Sequence, residues 1–226
     1  MSRIRLYRSQ KVIINEFFKI TVIFLFFVFI TDNSLAQSNC EFKKSENGIK
    51  VYSCETSSSP YNAVKAEFEV NGSIDDYISL LLEVSNYQNW KYRVVKSSLI
   101  KKVDDYELIY RMEIDSPWPV SDRDLVEHLV LTQDPVTKQV RLDIKSDAKY
   151  IPEREGFVRI PKSHSILVVT PFKENLLKVS FYIEADPGGI LPAWVANMVS
   201  IYGPLETFGK VKEILNLSSL NTPTSK

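Results

Sequence analysis

The chain has 226 residues, with 28 basic and 28 acidic side chains, two cysteines and 44% hydrophobic residues. This length suits one domain with a full core. The balanced charge offers no basic surface for nucleic acid, so no nucleic-acid partner is expected.

The N-terminus has the pattern of a secretory signal. Five basic residues between Arg3 and Lys19 precede the apolar run 20–30, and Ser34-Leu35-Ala36 follows with small side chains. The run is about 11 residues, shorter than the roughly 20 that a transmembrane helix needs. We therefore predict a signal peptide over residues 1–36 and a secreted or periplasmic protein. The alternative is an uncleaved N-terminal membrane anchor. Cleavage would remove five basic and two acidic side chains and leave a net charge near −3.

Two cysteines, Cys40 and Cys54, follow the predicted cleavage site, in a compartment where disulfides persist. A bond between them would close a loop of about 15 residues and contribute about 3 kcal/mol. It would tie a hairpin that turns near Asn47-Gly48. The alternative is a pair of free thiols in a metal or redox role. No His or third Cys lies nearby in the sequence, so no metal site is expected.

Strand and helix signals follow in turn. Apolar residues alternate with charged ones over 64–70, which predicts a strand with one wet face. Ser73 followed by Asp76 is a capping box, and it predicts a helix as far as about Val84. Alternation and turn residues then predict six strands, over 94–103, 106–115, 122–133, 137–147, 163–171 and 175–185.

The last helix has the clearest boundary. Pro187 ends the preceding strand, and Pro192 suits the first turn of a helix that runs to about Leu217. An apolar stripe recurs every three or four residues along this helix: Trp194, Met198, Ile201, Leu205, Phe208, Val211 and Leu215. Pro204 predicts a kink near residues 200–204. Residues 218–226 are expected to form a disordered tail.

These elements predict an α+β fold in which a curved antiparallel sheet wraps around a long C-terminal helix. Two interpretations of the apolar stripe stay open. The helix either packs on a solid core or covers a ligand cavity.

Three stretches of the chain resemble the START lipid-transfer domains, which belong to the helix-grip, Bet v1-like superfamily. Together with the N-terminal signal, they indicate a secreted member of the bacterial type. They are residues 117–126 (PWPVSDRDLV), 156–161 (GFVRIP) and 186–197 (DPGGILPAWVAN). Their order and spacing also fit, so the resemblance covers about residues 41–217. It implies a lipid-binding domain over 37–217, with a cavity for one lipid or other hydrophobic ligand and no cofactor. Transient membrane contact and a monomer are expected with it.

The inward faces of the strands and the last helix supply the candidate cavity residues. They are Tyr106, Leu108, Tyr110, Met112, Leu129, Trp194, Met198, Ile201, Tyr202 and Leu205. Sterol-type members of the family set an acidic and a basic side chain face to face, and the corresponding positions here are Tyr110 and Leu129. Neither is charged, which argues against sterol recognition through such a pair.

A second group of residues is predicted to form the loops that gate the cavity: Trp118, Arg123, Asp124, Gly188 and Gly189. Arg123 and Asp124 either fix the Trp118 loop through an ion pair and backbone hydrogen bonds or contact a lipid head group directly.

No catalytic motif marks the chain as an enzyme. Its two histidines, His128 and His164, have no Ser, Cys or carboxylate at triad spacing. Binding and transfer of a hydrophobic ligand is the predicted function. One alternative is a helix-grip enzyme of the aromatase/cyclase or hydrolase kind that uses His128, Glu127 and Tyr110. Another is a protein that only holds or senses its ligand.

Overall fold

A computed structural model of the chain describes residues 39–57, 59 and 61–221. The predicted signal peptide and the last five residues, 222–226, lie outside this range. Neither helix within it has the length and apolar character needed to span a bilayer.

The described residues form one curved, mainly antiparallel sheet with helices on its inner side, which confirms the predicted fold class. Nine strands are hydrogen-bonded in the order β1-β2-β3-β10-β9-β7-β6-β5-β4, and the short β8 pairs in parallel with β6. The strands are β1 (Cys40–Glu46), β2 (Ile49–Cys54), β3 (Ala63–Asn71), β4 (Val94–Lys102), β5 (Glu107–Ile114), β6 (Arg123–Gln133), β7 (Val140–Ser146), β8 (Val158–Arg159), β9 (Lys162–Lys173) and β10 (Leu176–Asp186).

The N-terminal hairpin confirms two predictions. Asn47 and Gly48 both have positive φ, at 51° and 76°, as a tight two-residue hairpin turn requires. Cys40 and Cys54 lie opposite each other in the β1–β2 register and form the predicted disulfide.

The first helix, α1 (Ile74–Leu82), begins as its capping signal predicts. The Ser73 hydroxyl accepts a hydrogen bond from the Asp76 amide at 3.0 Å. The helix ends slightly earlier than expected, and a 3₁₀ helix (Val84–Asn89) continues the path toward β4. Sequence periodicity did not predict this 3₁₀ helix, nor the two-residue strand β8.

The second helix, α2 (Ala193–Asn221), is continuous through Pro204. It extends four residues past Leu217, so the start of the predicted disordered tail, residues 218–221, is helical. Its C-terminal half packs on β1, β2 and β3. There Phe208 stacks near the rings of Phe68 (4.7 Å) and Phe181 (5.2 Å), and Val211 and Leu215 are fully buried.

Candidate functional site

A cavity of about 370 Å³ lies between the inner face of the sheet and the N-terminal half of α2. This volume is within the range of roughly 300–1,000 Å³ found for small-molecule sites. Apolar side chains from seven strands supply much of the wall: Val64, Val94, Met112, Ile114, Leu125, Leu142, Ile144, Leu167, Phe181 and Ile183. The arrangement favours the cavity interpretation of α2 over the solid-core interpretation.

The helical wall of the cavity is built mostly from small side chains, with the one large residue, Phe208, at its C-terminal end. Its residues are Val195, Ala196, Val199, Ser200, Gly203, Pro204, Thr207 and Phe208. Because small side chains fill little space, this face of α2 leaves room between helix and sheet. Val199 lines the cavity and is still 45% exposed, so other protein atoms leave much of its surface uncovered.

The cavity residues predicted on α2 lie about one residue away in helical phase from those that line this cavity. Trp194 and Tyr202 are exposed, Met198 and Ile201 are half-buried, and Leu205 is buried, but none of the five lines this cavity. The apolar stripe identifies the face that packs on the protein core along the C-terminal half of α2. Farther toward the N-terminus the cavity faces the neighbouring row of small residues.

On the sheet, alternation identified the inward face but not the extent of the cavity. Met112 lines the cavity, whereas Leu108 and Leu129 are buried opposite each other across β5 and β6 in solid core. Tyr110 is fully buried but lies outside the lining. Tyr106 precedes β5, where its amide donates to Asp104, and it is 54% exposed, so the structure places it outside the cavity lining.

One end of the cavity carries a buried polar cluster around Glu127. The Tyr110 hydroxyl donates to the Glu127 carboxylate at 2.5 Å, and Tyr87 packs edge-on against Tyr110. Burial and the nearby Glu127 charge raise the pKa of Tyr110, so its hydroxyl stays a donor. Lys91 places its ammonium 4.1 Å from the centre of the Tyr87 ring. Burial lowers the pKa of Lys91, and the Glu127 charge opposes that shift.

The cavity lining contains a second pair of charged side chains, Arg93 and Asp115, which neutralise each other. Arg93 forms an ion pair with the Asp115 carboxylate, and its Nε donates to the Asp115 carbonyl at 2.8 Å. Sequence reasoning missed Lys91, Arg93 and Asp115 as site residues. They lie next to the 3₁₀ helix and at the end of β5, where no periodic pattern shows which way a side chain points.

Arg123 and Asp124 point to opposite faces of β6. Arg123 lines the cavity and is 5% exposed, and its Nη1 donates to the Ser121 carbonyl. Its Nη2 lies 3.4 Å from the Gly188 carbonyl, which is a weak contact. The Nε of Arg123 is buried and has no hydrogen-bond partner in the part of the chain that the structure describes. Burial lowers the pKa of this guanidinium.

Asp124 is buried on the outer face of the sheet, where it forms ion pairs with two arginines. Arg159 binds both carboxylate oxygens through Nε and Nη2 at 2.8 Å each, and Arg111 approaches at 2.9 Å. Arg159 also donates to the carbonyls of Ala148 and Pro152. Asp124 therefore anchors the loop after β7 rather than contacting the cavity.

The predicted gate loops meet at what we call the loop end of the cavity, lined by Pro117, Pro187 and Leu191. Next to these residues, Trp118 is 90% exposed and Ile190 is 94% exposed. Gly188 and Gly189 both adopt positive φ, which only glycine accepts readily. The loops thus carry large apolar side chains that other described residues leave uncovered.

The residues of the enzyme alternative do not converge. His128 follows Glu127 in β6 and therefore points to the other face, where its Nε2 lies 2.7 Å from Glu107. His164 pairs with Asp143 at 3.1 Å. Within the described residues, no group of three or more His, Cys, Asp or Glu side chains is arranged to hold a metal ion.

A START domain family model matches residues 35–219 of this chain. An uncharacterized protein of Pseudomonas aeruginosa is 30% identical over 178 residues, which span 79% of this chain and 87% of that protein. The phosphatidylcholine transfer protein of Rattus norvegicus is 27% identical over 154 residues, 61% of this chain and 67% of that protein.

Among solved structures, the chain is similar to the crystal structure of a STAR-related lipid transfer protein from Xanthomonas axonopodis. The TM-score is 0.71 at 28% sequence identity, covering 78% of this chain and 98% of that one. The range matched by the family model contains all ten strands, α1, and α2 as far as residue 219.

Proposed function

Because the chain belongs to the START domain family, we propose that it binds one lipid or other hydrophobic ligand per molecule and transfers it between membranes. The observation that carries this proposal is the apolar cavity beneath the small-residue face of α2. The names of its relatives support the same chemistry, since two of them are lipid transfer proteins.

The cavity supplies enough binding energy for this role without a cofactor. Burying a methylene group gains about 0.8 kcal/mol, so a chain of ten methylenes gains roughly 8 kcal/mol before ordering costs. The apolar lining from β5, β6, β9 and β10 can contact such a chain along its length.

Membrane contact is proposed at the loop end of the cavity. Trp118, Ile190 and Trp194 are exposed there, on the two gate loops and the first turn of α2. Trp is an amphipathic ring that favours the membrane interface. A lipid leaving a bilayer at this surface would meet the cavity directly.

We propose that the protein acts outside the cytoplasm as a monomer. The disulfide between Cys40 and Cys54 supports an oxidising compartment, and the N-terminal sequence supports export. Intact mass of the protein from its own host checks this, because a species that retains residues 1–36 would contradict cleavage.

We propose a carrier rather than a catalyst. The enzyme alternative needs His128 near Glu127 and Tyr110, and His128 lies on the opposite face of β6. The sensing alternative shares the cavity, so only a transfer measurement separates it from a carrier.

A cavity-filling variant tests the proposal. Ala196→Trp adds about nine non-hydrogen atoms to the helical wall, and displacing only four ligand methylenes would cost roughly 3 kcal/mol, or about 100-fold in affinity. Asn197→Trp is the matched control, because Asn197 is the next residue on α2, is exposed and does not line the cavity.

The readouts are lipid occupancy by native mass spectrometry and transfer of a fluorescent lipid between vesicles. We expect Ala196→Trp to lose both and Asn197→Trp to keep both. Equal uptake by the two variants would mean that the ligand does not occupy this cavity. Uptake without transfer in the wild-type protein would leave a holding or sensing role.

A further inference from the structure

Four buried polar side-chain atoms in the cavity wall have no hydrogen-bond partner within the described structure: Tyr77 Oη, Trp90 Nε1, Arg123 Nε and Ser163 Oγ. Each of the four can donate a hydrogen bond, and the Trp and Arg groups can only donate. A buried donor without a partner destabilises the protein, because no hydrogen bond replaces those that the donor made to water. A ligand that brings acceptor oxygens would remove this destabilisation, whereas a purely apolar ligand would not.

Arg123 is the strongest of these donors. The Nε and Nη2 of an arginine form one edge of its planar fork, and this edge matches the two oxygens of a carboxylate or phosphate. In Arg159 the same edge is filled by Asp124 at 2.8 Å for each bond. Among the described residues, the Nε of Arg123 has no hydrogen-bond partner and its Nη2 makes only the 3.4 Å contact with Gly188.

The charges of the lining side chains also favour an anionic ligand near Arg123, although the Asp122 carboxylate, which does not line the cavity, acts on Arg123 as well. It contains three basic and two acidic side chains, Lys91, Arg93, Arg123, Asp115 and Glu127, which leaves one positive charge in excess. Arg93 is paired with Asp115, and Lys91 lies in the field of Glu127. Arg123 and Glu127 are four residues apart on β6, which separates them by about 13 Å, with the apolar Leu125 between them on the same face. The excess charge therefore lies at the Arg123 end of the cavity.

We propose that the ligand is an amphiphile with an anionic head group, a carboxylate or phosphate, and that the Nε–Nη2 edge of Arg123 binds its oxygens. This inference rests on the proposed function and adds the class of ligand. The acyl part would extend from Arg123 over Leu125 into the apolar interior.

The test compares oleate with oleyl alcohol, which share a chain and differ in head group. We expect the wild-type protein to bind oleate about 10- to 100-fold more tightly, because a hydrogen bond to a charged group adds that much. Arg123→Gln should weaken binding of oleate more than binding of the alcohol, so that the preference is lost, and Arg123→Lys should retain part of the preference. Arg141→Gln is the matched control, since the Arg141 side chain is 48% exposed on β7 and does not line the cavity, and it should keep the preference. Lys91→Met tests another cation of the wall as the alternative site for the anion.

Each outcome decides between the two claims. Equal affinity of the wild-type protein for oleate and oleyl alcohol would overturn the head-group assignment and leave the proposed function intact. Failure to bind either probe would overturn both. Loss of the preference in Lys91→Met but not in Arg123→Gln would place the anion elsewhere. Inorganic phosphate that stabilises the wild-type protein, together with no preference for oleate, would indicate a site for a free anion. The wild-type comparison does not depend on how well a variant folds.

Discussion

Asp124→Asn tests how strongly the outer ion cluster stabilises the fold. The Asp124 side chain is 1% exposed, and those of Arg159 and Arg111 are 3% and 15% exposed. Removing the negative charge leaves two guanidinium groups largely buried without a counter-charge. Breaking a buried pair in this way costs about 3–5 kcal/mol. Because Asn keeps one acceptor oxygen, we expect the lower end, about 3 kcal/mol.

Urea denaturation measures this loss directly, and the midpoint should fall without a change in slope. A loss of this size corresponds to a Tm lower by roughly 6–12 °C for a domain of this length. Asp143→Asn is the control, because Asp143 is one-third exposed and pairs at 3.1 Å with Lys145 and His164. Such exposed pairs contribute about 0–1 kcal/mol. If the two variants lose the same stability, the cluster around Asp124 is not the anchor that its geometry implies.

Two further predictions concern the loop end of the cavity. Gly188→Ala should destabilise the protein more than Gly189→Ala, by about 1 kcal/mol or more in urea denaturation. Both residues have positive φ, but only at Gly188 would a Cβ lie 2.9 Å from the Arg159 carbonyl; equal losses would show that the contact relaxes freely. Replacing Trp118 and Ile190 together with Ser should lower the affinity for lipid vesicles in a co-sedimentation assay by about 100-fold or more, since fully burying each exposed side chain contributes about 1.5–3 kcal/mol. Phe172→Ser is the control, because this exposed Phe lies at the opposite end of β9, and an equal loss there would exclude a specific membrane surface.

The fold could be predicted from the sequence because its signals are local. Alternation over β3, the Ser73 cap and the Asn47-Gly48 turn each depend on residues a few positions apart. The six later strands fall within three residues of their predicted bounds. The Cys40–Cys54 bond follows from the same hairpin, since its turn sets the two cysteines opposite each other.

The cavity was harder to predict, because it consists of the space that side chains leave unfilled between the sheet and α2. Leu108 and Met112 share one face of β5, yet only Met112 borders empty space. What separates them is how far the facing elements fill the interior, and that depends on residues distant in sequence. On α2 the useful signal was the row of small residues through Ala196, Ser200 and Gly203, which a search for apolar stripes overlooks.

The pair Arg123–Asp124 connects the stability of the fold to its ligand chemistry. Adjacent residues of a strand point to opposite faces of the sheet. Asp124 is therefore fully paired on the outer face, whereas its neighbour Arg123 is incompletely paired on the cavity face. On the outer face Asp124 has two arginines, and the cluster holds β8 and the loop that precedes it against β6. That support fixes the backbone of β6 at the point where Arg123 leaves it toward the cavity. A guanidinium held in this way loses little freedom when an anion binds, so its free edge can add to affinity without a large ordering cost.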